Sequence, residues 1–226
     1  MSFYQHLVQQ TAAGRQYLLT APVIAAAQQG QVDHATYLAF LTQAFHHVRH
    51  TAPLLMACGA ALPMQAGQLR KAIAEYIDEE IGHEEWILSD ISAVHASQGQ
   101  PQNATADTIE PPCISIELMV AYLYDQIQRH NPLALFGMVH VLEGTSVQLG
   151  SSMAELVRAH LQLPAAATSY LSSHGALDQE HYQFFQKLMD GIDDAADQQA
   201  IIKAANMVFR LYGDMLRSLP LPTHAH

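Results

Sequence analysis

The chain has 226 residues, half of them hydrophobic, which allows a substantial core in a length that suits one domain better than two. Its 21 acidic residues against 10 basic ones give a formal charge of −11, which repels phosphate backbones and leaves no basic stripe for nucleic acid or an anionic membrane. Cys58 and Cys113 lie far apart without CxxC spacing, so neither a disulfide framework nor a thiolate zinc site is indicated, and the cytoplasm is the expected compartment.

The opening MSFYQHLVQQTAAGRQ has no basic stretch leading into an unbroken apolar core, so no secretory signal is expected there. No stretch is long and apolar enough to span a bilayer. Apolar residues recur at helical spacing nearly throughout, and the breaks fall at Gly and Pro, so the expected fold is all-α within a single domain, 1–226. The first predicted helix covers 3–29, with an irregularity before Pro22 and an end suited to Gly30. The second covers 33–61, with Asp33 as its N-cap. It carries FHHVRH, where His46 and His50 stand at i and i+4, a geometry acceptable for a metal. Because a ligand set is completed elsewhere, these two are expected to line the pocket or support the ligands. Arg49 beside them offers either a bidentate hold on a substrate carboxylate or an ordinary salt bridge.

The third predicted helix, 64–97, contains DEEIGHEEW. Glu80 and His83 stand at i and i+3 and share a helical face, while Glu79, at i, i+4 to His83, is an alternative to Glu80. In bundles that hold two irons, such a Glu-x-x-His supplies one carboxylate and one imidazole from a single helix. The polar stretch SQGQPQNATADTIEPP reads as a surface loop. The fourth helix, 114–129, holds Tyr122 and Tyr124, which together with Tyr17, Tyr76 and Tyr182 are read as packing residues, a Tyr beside two irons being also a candidate redox partner. Met119, Met138 and Met153 read as flexible core filling.

In the fifth helix, 132–161, Pro132 suits the first turn and Glu143 interrupts the strongly apolar MVHVLEGTSVQL. A buried carboxylate there needs a partner, and with so few basic residues in the chain a metal is the economical one. His140, one turn earlier, reads as a packed or hydrogen-bonded histidine. The sixth helix, 164–191, opens near Pro164 and carries HGALDQEH. At about 100° per residue, His174, Asp178 and His181 fall within a stripe roughly 60° wide. A seventh helix covers 194–217, and 219–226, with His224 and His226, reads as a disordered tail.

Glu80 (or Glu79), His83, Glu143, His174, Asp178 and His181 offer three imidazoles and three carboxylates. Such a set divides between two divalent irons with positions left for dioxygen and substrate. On GHEEW, the acid of the fifth helix and HxxxDxxH of the sixth, the chain resembles the heme-oxygenase-like diiron oxidases over essentially its full length. These belong to a wider superfamily with thiaminase II and pyrroloquinoline-quinone synthase. The resemblance implies a heme-oxygenase-like bundle of about seven helices and six iron ligands, with Glu80 preferred to Glu79. It also implies two iron ions, with manganese as the alternative metal, a small-molecule substrate, dioxygen, an external electron donor and a homodimer. Relatives of this kind desaturate or decarboxylate aliphatic chains, oxygenate amines, or fragment amino-acid-derived substrates, so an acyl chain and an amino-acid derivative tethered by Arg49 or Arg210 are both open.

Other readings of the same fold fit less well. A thiaminase II-like hydrolase needs a nucleophilic Cys on the helix of AYLYDQIQRH, which has none. A metal-free quinone-forming oxidase needs cations around a polyanionic substrate. Heme oxygenation lacks an early proximal-His segment and cations for the propionates. A non-catalytic binding protein remains the alternative outside enzymes, since a fold alone does not guarantee activity.

Overall fold

A computed structural model describes residues 1–100 and 103–222, with side chains throughout those ranges except 174–182. Every regular element among the described residues is helical. In chain order they are α1 (Phe3–Gln10), α2 (Ala12–Leu19), α3 (Pro22–Gln28), α4 (His34–Val48), α5 (Thr51–Ala61), α6 (Gly67–Glu80), α7 (His83–Ser97), α8 (Ile114–Arg129), α9 (Leu135–Leu161), α10 (Ser169–Asp190) and α11 (Ala195–Ser218). Among them no helix is long and apolar enough to cross a membrane.

Three of the long predicted helices are divided, the first of them twice, at Thr11 (φ −108°, ψ 2°) and before Pro22. Pro22 holds Ala21 extended (φ −61°, ψ 132°) and so separates α2 from α3. Pro53 cannot donate to the carbonyl four residues back, and its ring crowds that carbonyl, so the chain turns at Arg49–His50 and restarts as α5. Gly82 adopts φ +90°, a left-handed conformation that costs other residues about 1–2 kcal/mol, and it parts α6 from α7. Asp33 caps α4 as expected, accepting from the Thr36 amide at 2.8 Å, and Gly30 is left-handed (φ +64°) just past α3.

The longest helix, α9, packs most extensively against α10 and α11. Its Gly137 lies against the α11 backbone: a Cβ there would come within 2.5 Å of the Ala205 nitrogen and 2.7 Å of the Ile201 oxygen. At the opposite end of α9, Gly30 packs against the His160 ring, which brings the start of α4 to that end as well. Helix α4 runs antiparallel to α11. His47 sets its ring edge-on to Tyr212 (centroids 5.4 Å apart), and Thr36 donates its hydroxyl to the Pro220 carbonyl at 2.8 Å. That bond, with Leu219 buried, corrects the expectation of a tail loose from 219 onward. Residues 223–226, including His224 and His226, lie outside the described residues.

Candidate metal centre and its cavity

A cavity of ≈ 180 Å³ opens along α9, walled on its other sides mainly by α3, α4 and the end of α11. The α9 wall runs from Met138 to Val157, about 28 Å at 1.5 Å per residue, and the volume holds roughly a dozen water-sized groups. Its lining is aliphatic and aromatic apart from the threonines and a serine, His47, Glu80 and Glu143. No Lys or Arg is among the described lining residues.

Glu143 is buried on α9, as its apolar flanks predict. Tyr76, buried on α6, turns its hydroxyl toward the Glu143 carboxylate. Burial first, then the charges of Glu143, Glu79 and Glu80, push that hydroxyl well above its ordinary range, so Tyr76 is a donor at all accessible pH. Glu80 ends α6 and His83 begins α7. Although the left-handed Gly82 interrupts the helix between them, Glu80 Oε2 lies 3.3 Å from His83 Nδ1. The pair therefore meets across a helix break and not, as the spacing suggested, along one helical face. His83 is buried and stacks on Trp86, with centroids 4.0 Å apart. Of the two candidate acids, Glu80 lines the cavity and Glu79 is exposed.

His174, Asp178 and His181 lie on α10, and their side chains fall outside the described residues, as does that of Tyr182. Among the described residues no three His, Cys, Asp or Glu side chains gather to hold an ion by themselves. The N-terminus of α10 is nonetheless fixed to α7. Asp90, fully buried, accepts from the Ser169 and Tyr170 amides at 3.0 Å each and from the Ser169 hydroxyl. Seven residues beyond His83 on the same helix, Asp90 thus ties the helix bearing one expected ligand to the helix bearing three. Sequence reading missed it because its partners stand some eighty positions away.

His46 bonds the Glu110 carbonyl through Nε2 at 2.6 Å, His50 reaches the Tyr124 hydroxyl at 3.4 Å, and Arg49 is exposed over the Phe45 ring. None of these three is among the lining residues, whereas their neighbour His47 is. Arg210 is likewise remote, paired with Asp214 at 2.9 Å on the outer face of α11. His140 packs among Tyr4, Phe185 and Phe209, with Nε2 3.3 Å from the Thr11 hydroxyl. Burial, with the Arg15 charge second, holds its imidazole down to about 4. Met119 and Met138 are buried, the latter in the cavity wall with Met153. Cys58 is buried against the Pro132 carbonyl and its thiol is pushed up to about 12, and neither cysteine lines the cavity.

The donor chemistry suits a cation: two carboxylates face an apolar cavity whose described lining carries no side-chain cation, and an imidazole stands beside one of them. A model of a family described as iron-containing redox enzymes matches residues 38–213. No curated protein matches the chain in sequence. Among solved structures, a domain of unknown function with a heme oxygenase-like fold from Shewanella denitrificans is similar at 19% identity and a TM-score of 0.81, covering 97% of this chain and 92% of that one. Heme oxygenase from Leptospira interrogans is similar at 13% identity and 0.73, covering 97% and 100%. A TenA homolog from Pseudomonas syringae is similar at 9% and 0.73, covering 94% and 90%. At these identities the likeness establishes a heme oxygenase-like fold.

Proposed function

The chain belongs to the family of iron-containing redox enzymes, and from that premise we propose that it uses two irons and dioxygen to oxidise a small molecule with an aliphatic chain held along α9. The observation that carries this reading is the pair Glu80 and Glu143 on the wall of an apolar cavity without a described Lys or Arg. Glu80, His83 and Glu143, with His174, Asp178 and His181 by their sequence pattern, are the residues that would hold the metal. Bound iron would supply dioxygen binding and one-electron chemistry at the head of the cavity, with electrons from an external donor.

The chain's own residues have separable tasks. Tyr76, buried beside Glu143, presents that carboxylate with a hydroxyl that stays protonated. The aliphatic and aromatic walls exclude water and grip the chain by burial. An anionic head group finds no guanidinium or ammonium among the described lining residues, and residues 174–182 contain neither by sequence. This favours an aliphatic chain over an amino-acid derivative tethered by Arg49 or Arg210. A thiaminase-type hydrolysis lacks its nucleophile, since Cys58 is protonated and bonded elsewhere and Cys113 stands at the start of α8, outside the cavity.

The test is an anaerobic Fe(II) titration. Uptake of about two equivalents is expected, and His174→Ala with Asp178→Ala should abolish it. The same stoichiometry in the double variant would overturn the assignment. Oxygen consumption by the loaded protein should then rise with linear aliphatic compounds and not with thiamine.

A further inference from the structure

The two ends of the cavity differ. Near one stand the carboxylates; Val23, Ala27, Val32, Thr36, Val157 and Leu219 line the other. Leu219 follows the last turn of α11 in an extended conformation (φ −64°, ψ 137°) and is only 7% exposed. The next residue, Pro220, cannot continue a helix, and its carbonyl lies 2.8 Å from the Thr36 hydroxyl, whose single proton it shares with Asp33 Oδ1 at 2.9 Å. Thr36 is fixed in turn, because its amide donates to the Asp33 cap at 2.8 Å. The Leu219 side chain is therefore an apolar wall whose backbone is fastened to the first turn of α4.

Resting on the aliphatic-substrate reading above, we propose that Leu219, pinned by the Thr36–Pro220 hydrogen bond, is the stop that sets how long a chain the cavity accepts. From Glu143 to Val157 is fourteen residues of α9, about 21 Å of wall. Each methylene laid along it adds about fourfold in affinity through burial, until the chain end meets Leu219. A further methylene must then displace that side chain or fold back, so the gain stops.

The experiment measures displacement of the neutral fluorophore N-phenyl-1-naphthylamine from the purified protein by linear primary alcohols of about six to sixteen carbons. Neutral ligands are used so that charge at Glu80 and Glu143 does not sort them. Wild type should show affinity rising with length to a break. Leu219→Ala should move the break to longer alcohols by about two or three carbons, Leu219→Trp should move it to shorter ones, and Thr36→Val should blunt it. Affinity for the shortest alcohols should stay within about twofold in all three, which also reports that they fold. A break at the same length in both Leu219 variants would overturn the stop while leaving the substrate class intact. No alcohol binding at any length in wild type would overturn the substrate class, and the stop with it.

Discussion

Two faces of α11 treat carboxylates in opposite ways. On the outer face Asp214 meets the Tyr17 hydroxyl and the Arg210 guanidinium, and Arg217 lies over the same tyrosine ring at 3.8 Å. Burial alone would raise the Asp214 carboxyl, yet Tyr17 and then Arg210 hold it below its ordinary value. Across the helix, Tyr212 and Leu216 face the cavity with Glu80 and Glu143, where no described Lys or Arg reaches. Cations are scarce in this chain, and they are not spread evenly: two of the ten serve one surface acid, while no Lys or Arg is among the described residues that line the cavity with Glu80 and Glu143. Asp90 is a third kind, fully buried and compensated by helix-terminal amides, which shows that burial of an acid does not by itself call for a metal.

The largest effect should come from Glu143→Gln. Iron affinity should fall by roughly a hundredfold or more, measured against a chelator, while the metal-free variant melts no lower than wild type because a buried charge has gone. Asp90→Ala should do the converse. It strands two amides and should lose about 3–4 kcal/mol in urea unfolding, metal present or absent. An Asp90 variant of wild-type stability would show that the helix-terminal amides are satisfied in another way.

The buried imidazole of His140 gives a test in pH. Because its folded value lies near 4, below that of an exposed histidine, the unfolded chain takes up a proton first as pH falls. Stability should therefore be full above about pH 6.5 and decline by roughly 3 kcal/mol between there and about pH 4. Unfolding followed against pH should show this limb flattened in His140→Phe. Gly82→Ala should cost about 1 kcal/mol, and Gly82→Asn less, because the left-handed residue between Glu80 and His83 is strained for a Cβ. Smallest of all, Asp214→Asn should leave iron uptake unchanged and shift melting slightly, the more so at low salt.

Periodicity located every helical region, because an amphipathic stripe is a local property of the chain. It overran the joint at Thr11 and those at Arg49–His50 and Gly82, in the last two of which Pro53 and a single glycine outweigh a favourable pattern on both sides. At the site, Glu143 was legible from its apolar flanks, and Glu80 with His83 from spacing, although the spacing argument assumed a continuous helix. His47 was passed over for His46 and His50 since all three occupy neighbouring positions, and only the packing of α4 on α11 decides which one faces inward. Tyr76 and Leu219 gain their roles from contacts with α9 and α4, separations that no local window contains.

Gly137 bears on why there is room for a ligand at all. With its α-carbon pressed on the backbone of Ala205, it fixes how closely two parallel helices approach, and residues farther along both of them line the cavity. A single added methyl at this point, about 9 Å along the helix from Glu143, would push the two rods apart and so reshape the chamber.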